Sequence, residues 1–394
     1  MGFLDLVNGD VAVFPGHASR GKPRVLVASP YLPFPLSHGA AVRIYNLMRR
    51  GAKDFDQVLV TFVEDFQSVP QELLDICVEV VIVQRAGSHA LPSTDRPDTV
   101  EEFDSPTFHQ ALRHSVTKWN PAIVQFEFTQ MAIYAPDTGS AKTLLVEHDI
   151  TYDLYAQMLE RQEDWETRRQ YERWLRFEHD AWKRVDRVVA MSDQDRQLVK
   201  GSVEIANGVD LDRFQPSARE PEARRLLFIG SFAHEPNVLA LEFFLRDVFP
   251  KLTGTVLHVI AGQRHQRFWD LRQDAVEVEG FVSDVRLAYE RASVVIAPLV
   301  ASAGTNIKIM EAMAMGKAIV STESGIHGLT LERGRDVVVT DHPLTMAKEI
   351  ERLFDDPEHR KRIEHSARRT AELRYGWDAI AEQQKKLYDA LLEP

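Results

Sequence analysis

The chain has 394 residues, 44% of them hydrophobic and 27% charged, a balance that suits a soluble protein of two ordinary domains. Its formal net charge of −12 argues against a nucleic-acid partner, which would call for a basic footprint. The lone Cys77 excludes an internal disulfide and a cysteine-built zinc cluster, and fits a reducing compartment.

Residues 1–23 read as an irregular arm. They lack the basic start and long apolar core of a secretory signal, and no later run nears the roughly 20 apolar residues that span a bilayer. The expected location is therefore the cytoplasm, with peripheral membrane contact left open. The first strand is RVLVASP, residues 24–30, a short apolar run closed by turn residues. A loop containing Gly39 and the helix VRIYNLMRRGAK follow. Strand, glycine-bearing loop and helix open a doubly wound unit, in which ligands sit beyond the carboxyl ends of the strands. Gly39 could there admit a substrate to the backbone; a plain loop-to-helix turn explains it equally well. Strands follow at QVLVTFV and VEVVIVQ. The helix SPTFHQALRHSVTKW opens with Ser105 as cap and Pro106 in first position.

AIVQFEF is the next strand, and Glu127 near its end reads as a solvated strand end that could also face a cleft. TLLVEHD delivers Glu147, His148 and Asp149 to the same edge. A histidine there can bond a hydroxyl or move a proton; it can also be structural, satisfied by Asp149. Residues 153–184 read as one long helical stretch with mixed charge. Trp165, Trp174, Leu175, Phe177 and Trp182 form its packing side, with a membrane or acceptor contact as the alternative. DRVVAMSDQDRQLV gives a strand and a helix capped by Ser192, and Asn207-Gly208 marks a turn.

RRLLFIGSF starts a second unit near residue 224. Its strand ends at Gly230, which permits close approach of a phosphate, and PNVLALEFFLRDVFPKL is the helix that follows. VEVEGFVSDVRLAYERASVVIAPL gives strand, loop, helix and strand, with Phe281 as a core residue on the simplest reading. Residues 298–322, PLVASAGTNIKIMEAMAMGKAIVST, combine a small-residue loop, a helix starting near Thr305 and a strand. That helix is apolar almost all round, so it is buried. Lys308 and Glu311 lie one turn apart on one face of it. They either satisfy each other or hold a ligand, the lysine on phosphate and the glutamate on a ribose diol. The preceding small residues favour the ligand. In the last helix Trp377, Ile380, Ala381, Gln384, Leu387, Tyr388 and Leu391 form one apolar-biased stripe that must be buried.

The motif G-T-x-x-K-x-x-E-A-M-A-x-G-K-x-x-x-S-T resembles the donor-binding motif of family 4 glycosyltransferases, which are retaining, metal-independent enzymes of GT-B fold. The resemblance implies an α/β chain of two doubly wound, Rossmann-like parallel-sheet domains facing a cleft. It places the boundaries at 24–207, completed by the helix 376–394, then a linker 208–223, then a nucleotide-sugar domain 224–375. Gly304, Thr305, Asn306 and Lys308 would bind the donor diphosphate, and Glu311 the ribose. Gly230 would approach the phosphates, and the Gly280-Phe281-Val282 segment the nucleobase. His38-Gly39-Ala40-Ala41 resembles the small-residue loop facing the donor, and His148 the histidine that many members place near the sugar.

Two departures stand out. Ala303 occupies the position of a second glutamate that contacts the sugar in many members. Ala233-His234-Glu235 replaces an Arg–Lys pair, with His234 and Arg264 as substitute cations. The expected function is sugar transfer from a nucleotide donor to an unidentified acceptor hydroxyl, with no cofactor, His148 and Lys308 serving catalysis. A GT-B epimerase, a non-catalytic sugar-nucleotide binder and a structural partner protein with a vestigial site are the rivals.

Overall fold

The structure is a computed structural model that describes residues 9–36, 38–65, 68–85, 94–161, 164–262, 275–300 and 305–393. It divides into two compact units, 1–206 with 380–394, and 207–379. Each has one largely parallel sheet.

In the first unit the strands are β1 (Val11–Pro15), β2 (Arg24–Ser29), β3 (Asp56–Val63), β4 (Glu79–Gln84), β5 (Ile123–Glu127), β6 (Lys142–Val146), β7 (Arg187–Ala190) and β8 (Val203–Glu204). They lie in the order β1-β4-β3-β2-β5-β6-β7-β8, all parallel except β1. β3 is buried along its whole length, as a strand covered on both faces must be. The helices are α1 (Gly39–Gly51), α2 (Gln71–Leu74), α3 (Asp98–Glu102), α4 (Pro106–Trp119), α5 (Thr151–Arg161), α6 (Trp165–Lys183) and α7 (Asp193–Leu198). Ser105 and Ser192 cap α4 and α7 through their hydroxyls, as their positions in sequence suggest.

Three expectations fail in this unit. The arm is not irregular throughout, because Val11–Pro15 pairs antiparallel with β4 and ends in proline at the sheet edge, where a missing N–H is tolerated. The stretch 153–184 is two helices. The Asp164 side chain accepts from the amide of Thr167 at 2.9 Å and starts α6 afresh, while both carboxylate oxygens of Glu178 in α6 take the first amides of α5. Trp174 and Phe177 are buried, but Trp165 is 74% exposed and does not join the packing side.

The second unit has β9 (Arg225–Ile229), β10 (Val256–Ile260), β11 (Val276–Glu279), β12 (Val294–Ala297), β13 (Ala318–Ser321) and β14 (Val338–Val339), in the order β11-β10-β9-β12-β13-β14. Its helices are α8 (Glu235–Phe243), α9 (Arg286–Arg291), α10 (Ile307–Ala314), α11 (Pro343–Asp355), α12 (Pro357–Thr370) and α13 (Trp377–Leu392). The helix predicted from Pro236 onward ends sooner as α8, and the chain continues through one π turn, Phe244–Val248, and one 3₁₀ turn, Phe249–Lys251. From Ile380, α13 is part of the first unit, where Tyr388 and Leu391 are buried. Numbered from its own first strand, the second sheet runs 3-2-1-4-5-6, the doubly wound order of dinucleotide-binding domains. No helix among the described residues is long and apolar enough to cross a membrane.

Candidate functional site

In a doubly wound sheet the ligand crevice lies where the strand order reverses. In the second unit that point is between β9 and β12. The loop after β9 carries Gly230 and His234, and the chain after β12 leads into α10. Gly304 lies outside the described residues, as do Ala303 and Arg264.

Lys308 and Glu311, both half-buried on α10, do not satisfy each other. Lys308 Nζ donates to Asn237 Oδ1 at 2.7 Å and sits 5.5 Å from the centre of the Phe228 ring. Glu311 Oε2 accepts from the Tyr289 hydroxyl at 3.0 Å, and Glu311 has no other hydrogen-bond partner among the described residues. The two thus share no direct hydrogen bond or ion pair, although each charge acts on the other. Burial pushes the Lys308 ammonium down to about 8, with the Glu311 charge pulling back. Burial likewise pushes the Glu311 carboxyl up to about 7 against the Tyr289 bond and the charges of Arg213 and Lys308. A half-buried cation whose hydrogen-bond partner is a neutral amide, and which the Glu311 charge only partly offsets, suits an incoming anion.

Gly230 acts through Asn237. A Cβ built on Gly230 would meet Asn237 Cγ at 2.7 Å and Oδ1 at 2.8 Å. The missing side chain thus makes room for the amide that holds Lys308, and Asn237 Nδ2 is fixed in turn by the carbonyl of Ser231 at 3.0 Å. Gly230→Ala should destabilise the protein by about 1–3 kcal/mol through overpacking and weaken any ligand of Lys308. Urea unfolding of both proteins measures the first effect.

Thr305 and Asn306 precede α10. The Thr305 hydroxyl is buried without a partner among the described residues, and Asn306 Nδ2 donates to the carbonyl of Gly325 at 2.6 Å. Val282 is half-buried, whereas Phe281 is 72% exposed, so the core role read from sequence is wrong. His234 is pushed toward neutrality by burial and then by the Lys308 charge, which leaves it a poor substitute for an arginine.

The first unit reverses between β2 and β5. Tyr31 and His38 follow β2, Phe128 follows β5, and His148 follows β6. Gly39 is the first residue of α1, and His38 caps that helix, its Nδ1 accepting from the amide of Ala41 at 3.3 Å. Glu127 is 2% exposed rather than a solvated strand end, and its Oε2 lies 2.7 Å from His148 Nε2. Glu127, not Asp149, is thus the partner of His148. The His148 ring stacks on Phe128 at 3.9 Å and 10°, and Tyr31 meets Phe128 edge-on at 5.4 Å. Phe128 has φ 72, a region that bulky residues occupy only when their surroundings compel it. Burial drives His148 toward neutrality despite the Glu127 carboxylate.

Sequence reasoning missed Asn237, Tyr289 and Arg43. Arg43 is 1% exposed and donates to the carbonyls of Ile205 and Ala206 at 2.9 and 2.5 Å. It lies among Ala41, Ile44, Leu47 and Met48 on the buried side of α1, and a charged residue in an apolar stripe was the available signal.

Comparison with known proteins bears on the fold and on one stretch of the chain. The family described as Glycosyl transferases group 1 matches residues 223–356. No curated protein sequence matches the chain. Among solved structures, sucrose-phosphate synthase from Thermosynechococcus elongatus is similar, with a TM-score of 0.74 at 18% identity, over 94% of this chain and 99% of that one. HepE from Anabaena in complex with UDP-glucose is similar at TM-score 0.70 and 13% identity, over 93% and 99%. The catalytic domain of starch synthase IV from Arabidopsis thaliana, bound to ADP and acarbose, is similar at 0.64 and 13%, over 94% and 99%. At these identities the likeness establishes the fold. Residues 223–356 thus match the glycosyl transferases group 1 family, and the chain that contains them has the GT-B fold.

Proposed function

We propose that the chain transfers a sugar from a nucleotide-diphosphate donor to an acceptor hydroxyl, with retention of configuration and without a metal or cofactor. One observation carries this reading. Among the described residues, Lys308 has a neutral amide as its one hydrogen-bond partner and Glu311 has one oxygen unengaged, and the two stand one turn apart beside the strand-order reversal of the second unit. The lysine would hold the diphosphate, the glutamate the ribose diol, and the exposed Phe281 face with Val282 the base. As the glycosidic bond breaks, charge grows on the leaving diphosphate, and a cation already fixed toward it lowers that barrier. His148 in the first unit would hold a sugar hydroxyl. The acceptor hydroxyl would attack from the face the diphosphate leaves, and its proton would pass to the departing phosphate. UDP-glucose in HepE and ADP in starch synthase IV support a nucleotide donor of this type.

A thermal-shift screen of UDP, GDP, ADP and TDP sugars tests the reading, since a ligand selective for the folded state raises Tm. One of them should bind, and its diphosphate, being diesterified, does not titrate near neutrality. Its affinity should rise as pH climbs through about 7, where Glu311 ionises, and fall above about 8, where Lys308 loses its proton. Product analysis without acceptor separates transfer from epimerisation. A screen in which none binds would sink the proposal.

A further inference from the structure

The hydrogen bonds behind His148 all run one way. Gln384 Nε2 on α13 donates to the Tyr388 hydroxyl at 2.5 Å, and that hydroxyl donates to Gln125 Oε1 at 2.5 Å. With its carbonyl oxygen taken, Gln125 turns its amide Nε2 toward Glu127 Oε1, also at 2.5 Å. Glu127 Oε1 is thus an acceptor, and Oε2 faces His148 Nε2. Arg43, buried nearby, adds a positive charge that acts on the Glu127 carboxylate. A carboxylate whose Oε1 already accepts can only accept at Oε2 as well, which would place the proton between Glu127 and His148 on the imidazole. His148 Nδ1 has no hydrogen-bond partner among the described residues, and the residue keeps 8% of its surface exposed. The Phe128 ring beneath and the carboxylate at the edge together hold the imidazole in one orientation.

We propose that Glu127 is a positioning residue that sets His148 as the Nε2–H tautomer and so makes Nδ1 a hydrogen-bond acceptor for a substrate hydroxyl. The hydroxyl rests on the sugar-transfer reading; the tautomer does not. Gln125, Tyr388 and Gln384 give the network its direction, so the C-terminal helix takes part in orienting a histidine more than 230 positions earlier in the chain.

Long-range 1H–15N spectra of histidine-labelled protein read the tautomer. The wild type should show Nε2 protonated and Nδ1 bare. In Glu127→Gln the Gln125 amide still claims the new carbonyl oxygen, so the new NH2 faces His148 and the imidazole proton moves to Nδ1. That variant should invert the spectrum and lower kcat by about 10²-fold or more, the penalty of a wrong tautomer, with the donor KM little changed. Exchanging the pair, Gln125→Glu with Glu127→Gln, lets position 125 accept from both neighbours and turns the position-127 oxygen back to His148. The first tautomer should return, and kcat should recover to within about tenfold of wild type. A bare Nε2 in the wild type, an unchanged tautomer in Glu127→Gln, or an exchanged pair that restores the tautomer but not turnover each overturns the proposal. If Glu127→Gln fails to fold, the wild-type spectrum decides alone. If the wild type transfers no sugar from any donor, the sugar-transfer reading falls while the spectra still decide the tautomer.

Discussion

Lys308→Met is expected to lower affinity for the donor by about 10- to 150-fold, the range for losing a hydrogen bond to a charged group, while leaving Tm unchanged or a few degrees higher. The two effects have one cause. Burial holds the Lys308 ammonium at about 8, below its ordinary value, and its hydrogen-bond partner is the uncharged Asn237 amide. In the ligand-free protein that charge is a liability, which a methionine of similar length relieves while still packing on Phe228. The sign also fixes a pH dependence. Because the folded pKa lies below the unfolded one, the wild type gains stability from this residue as pH rises from about 8 toward the ordinary lysine range. The advantage of Lys308→Met should shrink over that window. Glu311→Gln, which can still accept from Tyr289, should likewise cost at least about tenfold in affinity. Calorimetry of the responding nucleotide sugar, with thermal unfolding of each variant, measures both quantities. A lysine that served only the interior would give the opposite pattern: binding intact and Tm lower.

The parts of this molecule that local pattern dictates were readable in the sequence. Runs such as QVLVTFV and RRLLFIGSF must be buried on both faces, and Ser105-Pro106 can only begin a helix. Lys308 and Glu311 declared themselves because two charges on an apolar helix demand a reason. Their partners did not, since Asn237 lies 71 positions from Lys308 and Tyr289 lies 22 from Glu311, and both are brought close by the fold alone. The pairing of Glu127 with His148 has the same origin. Strands β5 and β6 register Glu127 opposite Val146, which sets His148 two residues past the opposing position, a relation that no spacing in one strand reveals. The strand Val11–Pro15 was hidden because five residues between turn formers become a strand only through the edge that β4 offers. The break before α6 was legible in principle. Asp164 three residues before Thr167 is a capping arrangement, but the unbroken charge pattern across it favoured a single helix.

His148→Ala is expected to cut turnover by about 10²- to 10⁴-fold, the span usual for a positioned hydrogen-bonding or proton-moving side chain, and to leave affinity for the free nucleotide diphosphate within about twofold, an interval that corresponds to a few tenths of a kcal/mol. The separation follows from where the groups sit. Lys308, Glu311, Asn237 and Tyr289 all belong to the second unit, whereas His148, Glu127 and Phe128 all belong to the first. Removing the imidazole leaves the Glu127 carboxylate without a neighbour it now engages at 2.7 Å, so some stability should be lost as well. His148→Gln serves as the control for that loss, because its amide can restore the contact with Glu127 without supplying a ring nitrogen. If turnover stays low in both variants while His148→Gln recovers Tm, the imidazole acts on substrate. Should either variant turn over at the wild-type rate, the histidine is structural. Donor binding would then report a protein that recognises a nucleotide sugar through its second unit, with the transfer step owed to groups other than the Glu127–His148 pair.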